Sequence, residues 1–143
     1  MVSIKEIDHE EFQLCFEFDS NTISLWTKKQ WETELKNKST NVVAVLLKKK
    51  IIGLYVVQTI IDEAQINYFS IKQKFRRKGY GSYLMNYLIK ECEELNIKKL
   101  LLEVSETKSI AEAFYSKFEF LTVGIRKNYY RNGTDAILKE KIL

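Results

Sequence analysis

A mixed α/β fold, with one central sheet of about seven mostly antiparallel strands flanked by about four helices, is predicted by two features of the sequence. First, β-branched and aromatic runs of strand length alternate with segments whose apolar residues recur at helical spacing. Second, a pair of glycines stands between one apolar strand pattern and a long helical pattern, and another apolar strand pattern follows. A strand–helix–strand unit of this kind joins parallel strands, so the sheet is expected to be mixed.

The N-terminal half predicts one strand, two helices and then three antiparallel strands. Val2 to Ile7 has the composition of a short strand, and a helical pattern follows it. Thr27 is a suitable N-cap for a second helix, in which Trp31 and Leu35 would face the core. Residues 41–71 are rich in β-branched and aromatic side chains and are broken by two polar turns, which predicts three strands.

A change of period after the glycines predicts the next helix. Leu84, Leu88 and Leu95 would form its buried face, and the pattern runs from just after Gly81 to near Asn96. This helix would be the crossover between the two parallel strands.

The last third of the chain predicts a strand, a helix and two closing strands. Residues 98–104 ("KKLLLEV") have the composition of a buried strand, and residues 109–118 have a helical pattern. The inward side chains of that helix would be Ile110, Ala113, Phe114 and Phe118. Closing strands are expected at 120–125 and 135–143, where Lys139 interrupts the apolar pattern and suggests an edge-facing position or a looser core.

Length and composition predict one domain, residues 1–143. A monomer is expected. No apolar run approaches the roughly 18 residues of a membrane span, so a cytoplasmic protein without a membrane partner is expected. Cys15, Cys92 and His9 are too few for a disulfide framework or a zinc cluster; no metal is expected, and both cysteines should lie in the core. The net charge of +4 suits an anionic ligand but is too small to indicate nucleic-acid binding.

The stretch "FRRKGYGSYL" places glycines where a strand meets a helix. Glycine allows close approach of the backbone, and the first N–H groups of a helix can bind a phosphate, with Arg76, Arg77 and Lys78 adding positive charge. A P-loop is excluded because the G-K-[ST] ending is missing, and a dinucleotide motif is excluded because Leu84 stands at the third glycine. On the residues alone, a plain turn is the simpler explanation.

The spacing Arg76-x-x-Gly79-x-Gly81 resembles the Q/R-x-x-G-x-G/A signature of the GNAT superfamily of acetyl-CoA-dependent N-acetyltransferases, which has the same element order. Within it, three stretches resemble the ribosomal-protein-alanine N-acetyltransferases: "IDEAQINYFSI", "LLEVSETKSIAEAFYSKFEF" and "GIRKNYYRNGTDAI". The resemblance covers nearly the whole chain. It implies acetyl-CoA as co-substrate and, as protein substrate, small-subunit ribosomal protein eighteen, acetylated on its N-terminal alanine.

The resemblance also implies roles for individual residues. Glu103 falls at the position of the general base, and Tyr115 at that of the general acid. The strand backbone at Phe69, Ser70 and Ile71 would bind the thioester and the pantetheine. The pyrophosphate would be held by the loop composed of Arg77, Lys78, Gly79, Tyr80, Gly81 and Ser82.

Two residues depart from the family pattern. Lys108 occupies a cofactor-contacting position that is usually Asn, and it adds charge near the cofactor path. Glu119 replaces the glycine of Y-x-x-x-G-F, which costs on the order of 1 kcal/mol if that position has positive φ. A degenerate acetyl-CoA-binding module therefore remains an alternative, as does a GNAT enzyme for a small metabolite or a lysine side chain. Nucleic-acid binding through "KFRRKGY" is a more distant alternative.

The chemistry fits an α-amine acceptor. An α-amine has a pKa of about 7.7 to 8.0, so part of it is neutral near pH 7, whereas a lysine side chain is almost wholly protonated. A partly desolvated Glu103 can therefore deprotonate an α-amine more easily than a lysine. Tyr115 would protonate the departing sulfur, and strand N–H groups near Ser70 would stabilise the tetrahedral oxygen. On the residues alone, an acid paired with a lysine and a packing tyrosine are the commoner cases. Asn128, Tyr129 and Tyr130 would shape the peptide groove, although aromatic residues between closing strands are often simply cross-strand packing.

Overall fold

The computed structural model describes residues 1–143 and contains seven strands and four α-helices. The strands are β1 (Val2–Glu6), β2 (Thr40–Leu47), β3 (Lys50–Ile60), β4 (Glu63–Ile71), β5 (Lys99–Ser105), β6 (Leu121–Arg126) and β7 (Ala136–Ile142). The helices are α1 (Phe12–Ser20), α2 (Lys28–Lys36), α3 (Tyr80–Glu94) and α4 (Ser109–Lys117). Short 3-10 turns precede α1 and α3. This order confirms the predicted mixed α/β class.

All strands belong to one sheet, in the order β1-β2-β3-β4-β5-β7-β6, and only β4 and β5 are parallel. The parallel ladder has three residue pairs, from Glu63–Lys99 to Gln65–Leu101, although β4 continues to Ile71 and β5 to Ser105. The two strands therefore separate beyond Gln65. This separation, called the split below, leaves one backbone edge of residues 66–71 without a partner strand.

A β-bulge in β4 lies beside the split. The ladder with β3 pairs Val56 with Tyr68 and Val57 with Ile66, so Asn67 is an extra, unpaired residue. Because side chains alternate along a strand, the extra residue changes which face the following side chains occupy. Ile66 packs in the apolar layer under α3 and α4, and Tyr68 packs in the layer under α1 and α2.

Each face of the sheet carries its own apolar layer. The buried stripe of α3 includes Leu84, Leu88 and Cys92, and α2 buries Trp31 and Leu35 on the opposite face, as predicted. The α2 N-terminus has the expected cap, because the Thr27 hydroxyl accepts a hydrogen bond from the Gln30 backbone N–H at 3.1 Å. No helix is long and apolar enough to cross a membrane.

Several predicted core positions are wrong. Leu95 is 63% exposed because α3 ends at Glu94 and the chain turns at Asn96, which has φ of 59°. In α4, Ile110 and Ala113 are exposed. The inward stripe consists instead of residues 111, 114, 115 and 118, which recur at i, i+3, i+4 and i+7 and are at least half-buried.

Lys139 is not at an edge of the sheet. Strand β7 lies between β5 and β6, and the Lys139 side chain is only 3% exposed. Its ammonium donates a hydrogen bond to the Thr122 hydroxyl at 3.0 Å and lies 3.5 Å from the Glu112 carboxylate. A buried charge is tolerated when it is paired in this way, and the pair joins α4 to β7.

Candidate active site

The split is bordered by the last residues of β4. Ser70 and Ile71 are buried, and the Phe69 ring packs against Phe114 and Tyr115 of α4, with centroid distances of 5.6 and 6.3 Å. These contacts fix the strand while its edge toward β5 stays unpaired. The backbone N–H and C=O groups on that edge can therefore bind an extended ligand, as a partner strand would.

The loop after β4 leads directly into the N-terminus of α3. Arg76 Nε donates a 2.8 Å hydrogen bond to the Ile71 carbonyl, which ties the loop to the strand end. Gly79 is the N-cap residue with φ of 90°, a left-handed conformation that favours glycine. Arg77 and Lys78 are exposed, and neither forms an ion pair.

Three free N–H groups lie at this helix end. The first helical hydrogen bond runs from the Tyr83 N–H to the Gly79 carbonyl at 3.0 Å, so the N–H groups of Tyr80, Gly81 and Ser82 have no acceptor in the helix. With the helix dipole and two unpaired cations, they form a site for an anionic group such as a diphosphate.

Gly81 was expected to precede the helix. It lies instead in the first turn, because the N-cap is Gly79. Its need for glycine is one of space. A Cβ atom at Gly81 would be 3.3 Å from the Phe114 ring and 3.7 Å from Ile71, whereas a Cβ atom at Gly79 would meet nothing within 4 Å. Gly79 therefore serves the backbone conformation, and Gly81 serves the close approach of α3 to α4.

A groove of about 600 Å³ lies on the α1/α2 side of the split. It is lined by Leu25, Trp26, Lys29, Gln30, Thr33, Glu34, Gln65, Ile66, Asn67, Glu103, Tyr129 and Tyr130. Glu103, with its side chain 21% exposed, is thus partly desolvated yet open to the groove. Of the three residues expected to shape it, Tyr129 and Tyr130 line the groove and Asn128 does not.

The ionic partner of Glu103 is an arginine, not a lysine. Arg126 Nη2 lies 3.5 Å from Glu103 Oε1, and the guanidinium also lies over the Tyr129 ring, 5.5 Å from its centroid. Burial raises the pKa of the neighbouring Tyr130, and the charge of Glu103 adds to this effect. The sequence did not indicate Arg126, because its contact with Glu103 depends on the order of the strands. Strand β7 lies between β5 and β6, and the Arg126 side chain reaches Glu103 across it.

Glu103 and Tyr115 lie on opposite faces of the sheet. The neighbours of Glu103 in β5, Leu102 and Val104, pack in the layer that contains Tyr115, so Glu103 points to the other side. Tyr115 is 9% exposed and packs edge-on against Phe120 at 5.6 Å. Burial raises the pKa of Tyr115, which keeps its hydroxyl protonated at neutral pH.

The wall of the groove is held by an acid that the sequence analysis missed. Asp19 is fully buried and accepts hydrogen bonds from the backbone N–H groups of Leu25 and Trp26, both at 2.9 Å. Its carboxylate also accepts from the Trp31 indole at 3.0 Å and the Tyr68 hydroxyl at 2.9 Å. These bonds fix the α1–α2 loop beside the groove. In the sequence, the only indication of them is an acid, Asp19, followed by the two tryptophans, Trp26 and Trp31.

Lys108 is exposed at the N-cap of α4, with a side chain that forms no ion pair or hydrogen bond. Its backbone N–H donates to the Ser105 carbonyl at 2.9 Å, which joins the end of β5 to the start of α4. No group of three or more His, Cys, Asp or Glu side chains is arranged to hold a metal ion.

A split sheet with a glycine loop and a helix N-terminus at its end is the architecture of an acetyltransferase that uses acetyl-CoA. The chain belongs to the GNAT acetyltransferase family, because the sequence model of the "Acetyltransferase (GNAT) family" matches residues 3–120.

Individual relatives agree with this assignment. The chain is 30% identical over 131 residues to the ribosomal protein bS18-alanine N-acetyltransferase of Haemophilus influenzae, covering 91% of this chain and 88% of the relative. The crystal structure of the ribosomal-protein-S18-alanine N-acetyltransferase from Escherichia coli has the same fold, with a TM-score of 0.92 at 23% identity over 99% of this chain and 94% of that one. A GNAT acetyltransferase from Elizabethkingia anophelis, solved with acetyl-CoA bound, superposes with a TM-score of 0.80 at 22% identity, covering 99% and 98% of the two chains.

Proposed function

We propose that this protein transfers the acetyl group of acetyl-CoA to the N-terminal α-amine of a protein, and that its substrate is the N-terminal alanine of ribosomal protein bS18. The observation that carries the proposal is the placement of Glu103 in an open groove on one face of the split, with Tyr115 on the other face. The names of relatives at about 30% identity support the choice of substrate.

The residues around the split fit acetyl-CoA. The free N–H groups of the α3 N-terminus, together with Arg77 and Lys78, would hold the diphosphate. The unpaired edge of residues 69–71 would hold the pantetheine through backbone hydrogen bonds. Lys108, exposed at the start of α4 with no partner, is available for a further contact with the co-substrate.

Glu103 and Tyr115 would divide the proton transfers between them. Glu103 takes a proton from the α-ammonium group, directly or through a water, and the neutral amine attacks the thioester carbon. A backbone N–H near Ser70 or Ile71 stabilises the oxygen of the tetrahedral intermediate. As the C–S bond breaks, the Tyr115 hydroxyl gives its proton to sulfur. The nitrogen, which still carries two protons after the C–N bond has formed, loses one of them to solvent to become the neutral amide, and solvent returns a proton to Tyr115. Both cysteines are buried, so neither serves as a nucleophile.

The test is acetylation of a peptide beginning Ala-Arg-Tyr-Phe, with the modified nitrogen located by mass spectrometry. A matched peptide with a blocked N-terminus and an internal lysine, and a panel of small amines, separate the alternative acceptors. The Glu103→Gln and Tyr115→Phe variants should each lower kcat by roughly 100-fold or more. Glu106→Gln, an exposed acid just beyond β5, is the matched control and should leave kcat unchanged.

Two results would contradict the proposal. Acetylation of only lysine or a small amine would assign another acceptor. Binding of acetyl-CoA by calorimetry, without turnover of any amine by the folded protein, would identify a binding module that has lost catalysis.

A further inference from the structure

Glu34 of α2 is the carboxylate of the groove that has no cationic partner. Its Oε1 atom accepts a hydrogen bond from Asn67 Nδ2 at 2.9 Å, and the side chain forms no ion pair. The cations nearby are engaged elsewhere, since Lys29 pairs with Glu32 at 3.6 Å and Arg126 pairs with Glu103. One oxygen of Glu34 is therefore free to accept hydrogen bonds from a ligand in the groove.

The β-bulge holds this carboxylate in place. Asn67 is the unpaired extra residue of β4, and its side-chain amide lies on the α2 side of the strand, where it donates to Glu34. The parallel ladder pairs Gln65 with Leu101, so Asn67 and Glu103 lie two residues farther along their strands, at the same level on either side of the split. Glu34 is thus anchored directly across the split from the proposed base.

The surrounding surface suits a cation. Trp26, Tyr129 and Tyr130 line the same groove, and aromatic rings beside a carboxylate favour a guanidinium or ammonium group through cation–π contacts and charge-assisted hydrogen bonds. If the α-amine of a peptide lies at Glu103, side chains of the following residues extend along the groove, on alternate sides of the extended chain.

We infer that Glu34 and Asn67 form a subsite for a cationic side chain, arginine or lysine, at the second residue of the acetylated N-terminus. This inference rests on the proposed function and adds a selection rule to it. Glu34 would be a specificity residue that binds substrate, and Asn67 a positioning residue that acts through Glu34.

The test compares three peptides that differ only at the second residue, Arg, Gln or Glu. The wild type should acetylate the Arg peptide with a kcat/KM about tenfold above that of the Gln peptide, the effect of one charge-assisted contact. Glu34→Gln should remove this preference by lowering kcat/KM for the Arg peptide to about that of the Gln peptide. Glu34→Lys should reverse it in favour of the Glu peptide. Glu10→Gln, an exposed acid outside the groove that forms no ion pair, is the control and should keep the wild-type preference.

Asn67 has its own readout. Asn67→Ala should weaken the Arg preference without reversing it, because Glu34 loses the amide donor that holds its Oε1 atom. The dissociation constants of the three peptides, measured by calorimetry with CoA present, read the subsite without turnover. Equal dissociation constants for the Arg and Gln peptides, or a preference that survives Glu34→Gln, would overturn the inference. Selective peptide binding without acetylation would instead overturn the proposed function and leave the subsite standing.

Discussion

Arg126 of β6 reaches across β7 to lie 3.5 Å from the Glu103 carboxylate of β5. The proposed base is therefore already paired with a cation before an amine arrives. An incoming α-ammonium group must approach the same carboxylate, so substrate and Arg126 compete for it.

Replacing Arg126 by glutamine should lower KM for the peptide by up to about fivefold, because an ion pair this exposed is worth no more than about 1 kcal/mol. The side chain of Arg126 is 55% exposed, which keeps the effect small. Steady-state kinetics measures it, with Lys127→Gln as the control. A raised KM would show that Arg126 orients Glu103 for the substrate and does not compete with it.

Gly79→Ala should weaken acetyl-CoA binding, because its φ of 90° is unfavourable for alanine by about 1 kcal/mol and the loop would relax away from this conformation. Gly133 offers a matched control, since it has φ of 83° and equally open space in the β6–β7 connection. Gly133→Ala should lose similar stability in urea unfolding and keep normal acetyl-CoA affinity by calorimetry. Equal losses of affinity in both variants would assign the effect to general destabilisation.

Asp19→Ala should lower the free energy of unfolding by about 3 to 5 kcal/mol, because it leaves the buried donors of Trp31 and Tyr68 unpaired. Asp19→Asn keeps an acceptor and should lose less. Urea unfolding followed by tryptophan fluorescence measures both, and the exposed Asp62→Asn is the control. An unchanged midpoint for Asp19→Ala would mean that the α1–α2 loop does not depend on this acid.

Glu119→Gly should raise the free energy of unfolding by roughly 0.5 to 1 kcal/mol, because Glu119 has φ of 67° at the end of α4. Glu119→Gln keeps the unfavourable conformation and should leave stability unchanged. Thermal unfolding of the two variants separates the backbone effect from the loss of charge. A similar gain in both would place the cost in the carboxylate.

The protein should lose stability above about pH 10, the ordinary pKa of tyrosine. Burial raises the pKa values of Tyr55, Tyr68 and Tyr115, and the charge of Asp19 adds to the shift at Tyr68. Above pH 10 the unfolded chain loses these protons and the folded chain keeps them, so rising pH favours unfolding. Urea unfolding between pH 8 and 11 measures this, and Tyr115→Phe should flatten the slope. A pH-independent midpoint would contradict it.

The order of strands and helices could be predicted because it depends on periodic patterns that are local in sequence. Positive φ at Glu119 was also predictable, since one glycine position in a turn carries the information. The partners of Lys139 could not be predicted, because Glu112 and Thr122 come from two other elements. The exposure of Ile110 depends on the rotation of α4 against the sheet, which the apolar pattern alone leaves open.

The same distinction holds for the candidate site. Glu103 and Tyr115 were named from family spacing, but their separation by the sheet follows from strand alternation and helix packing. Asp19 binds the Tyr68 hydroxyl 49 residues away, and Glu34 binds Asn67 33 residues away. Neither pair is marked by a pattern in the chain, and the bulge at Asn67 exists only in the ladder with β3.

The unpaired edge of β4 at the split lies between the layer under α3 and α4 on one face of the sheet and the groove on the other. Under the proposed function, the nucleotide enters on the α3/α4 side and the protein chain on the α1/α2 side. A single inhibitor that joined both ends would have to be threaded through the sheet, and the thickness of one β-sheet would set the minimum length of its linker.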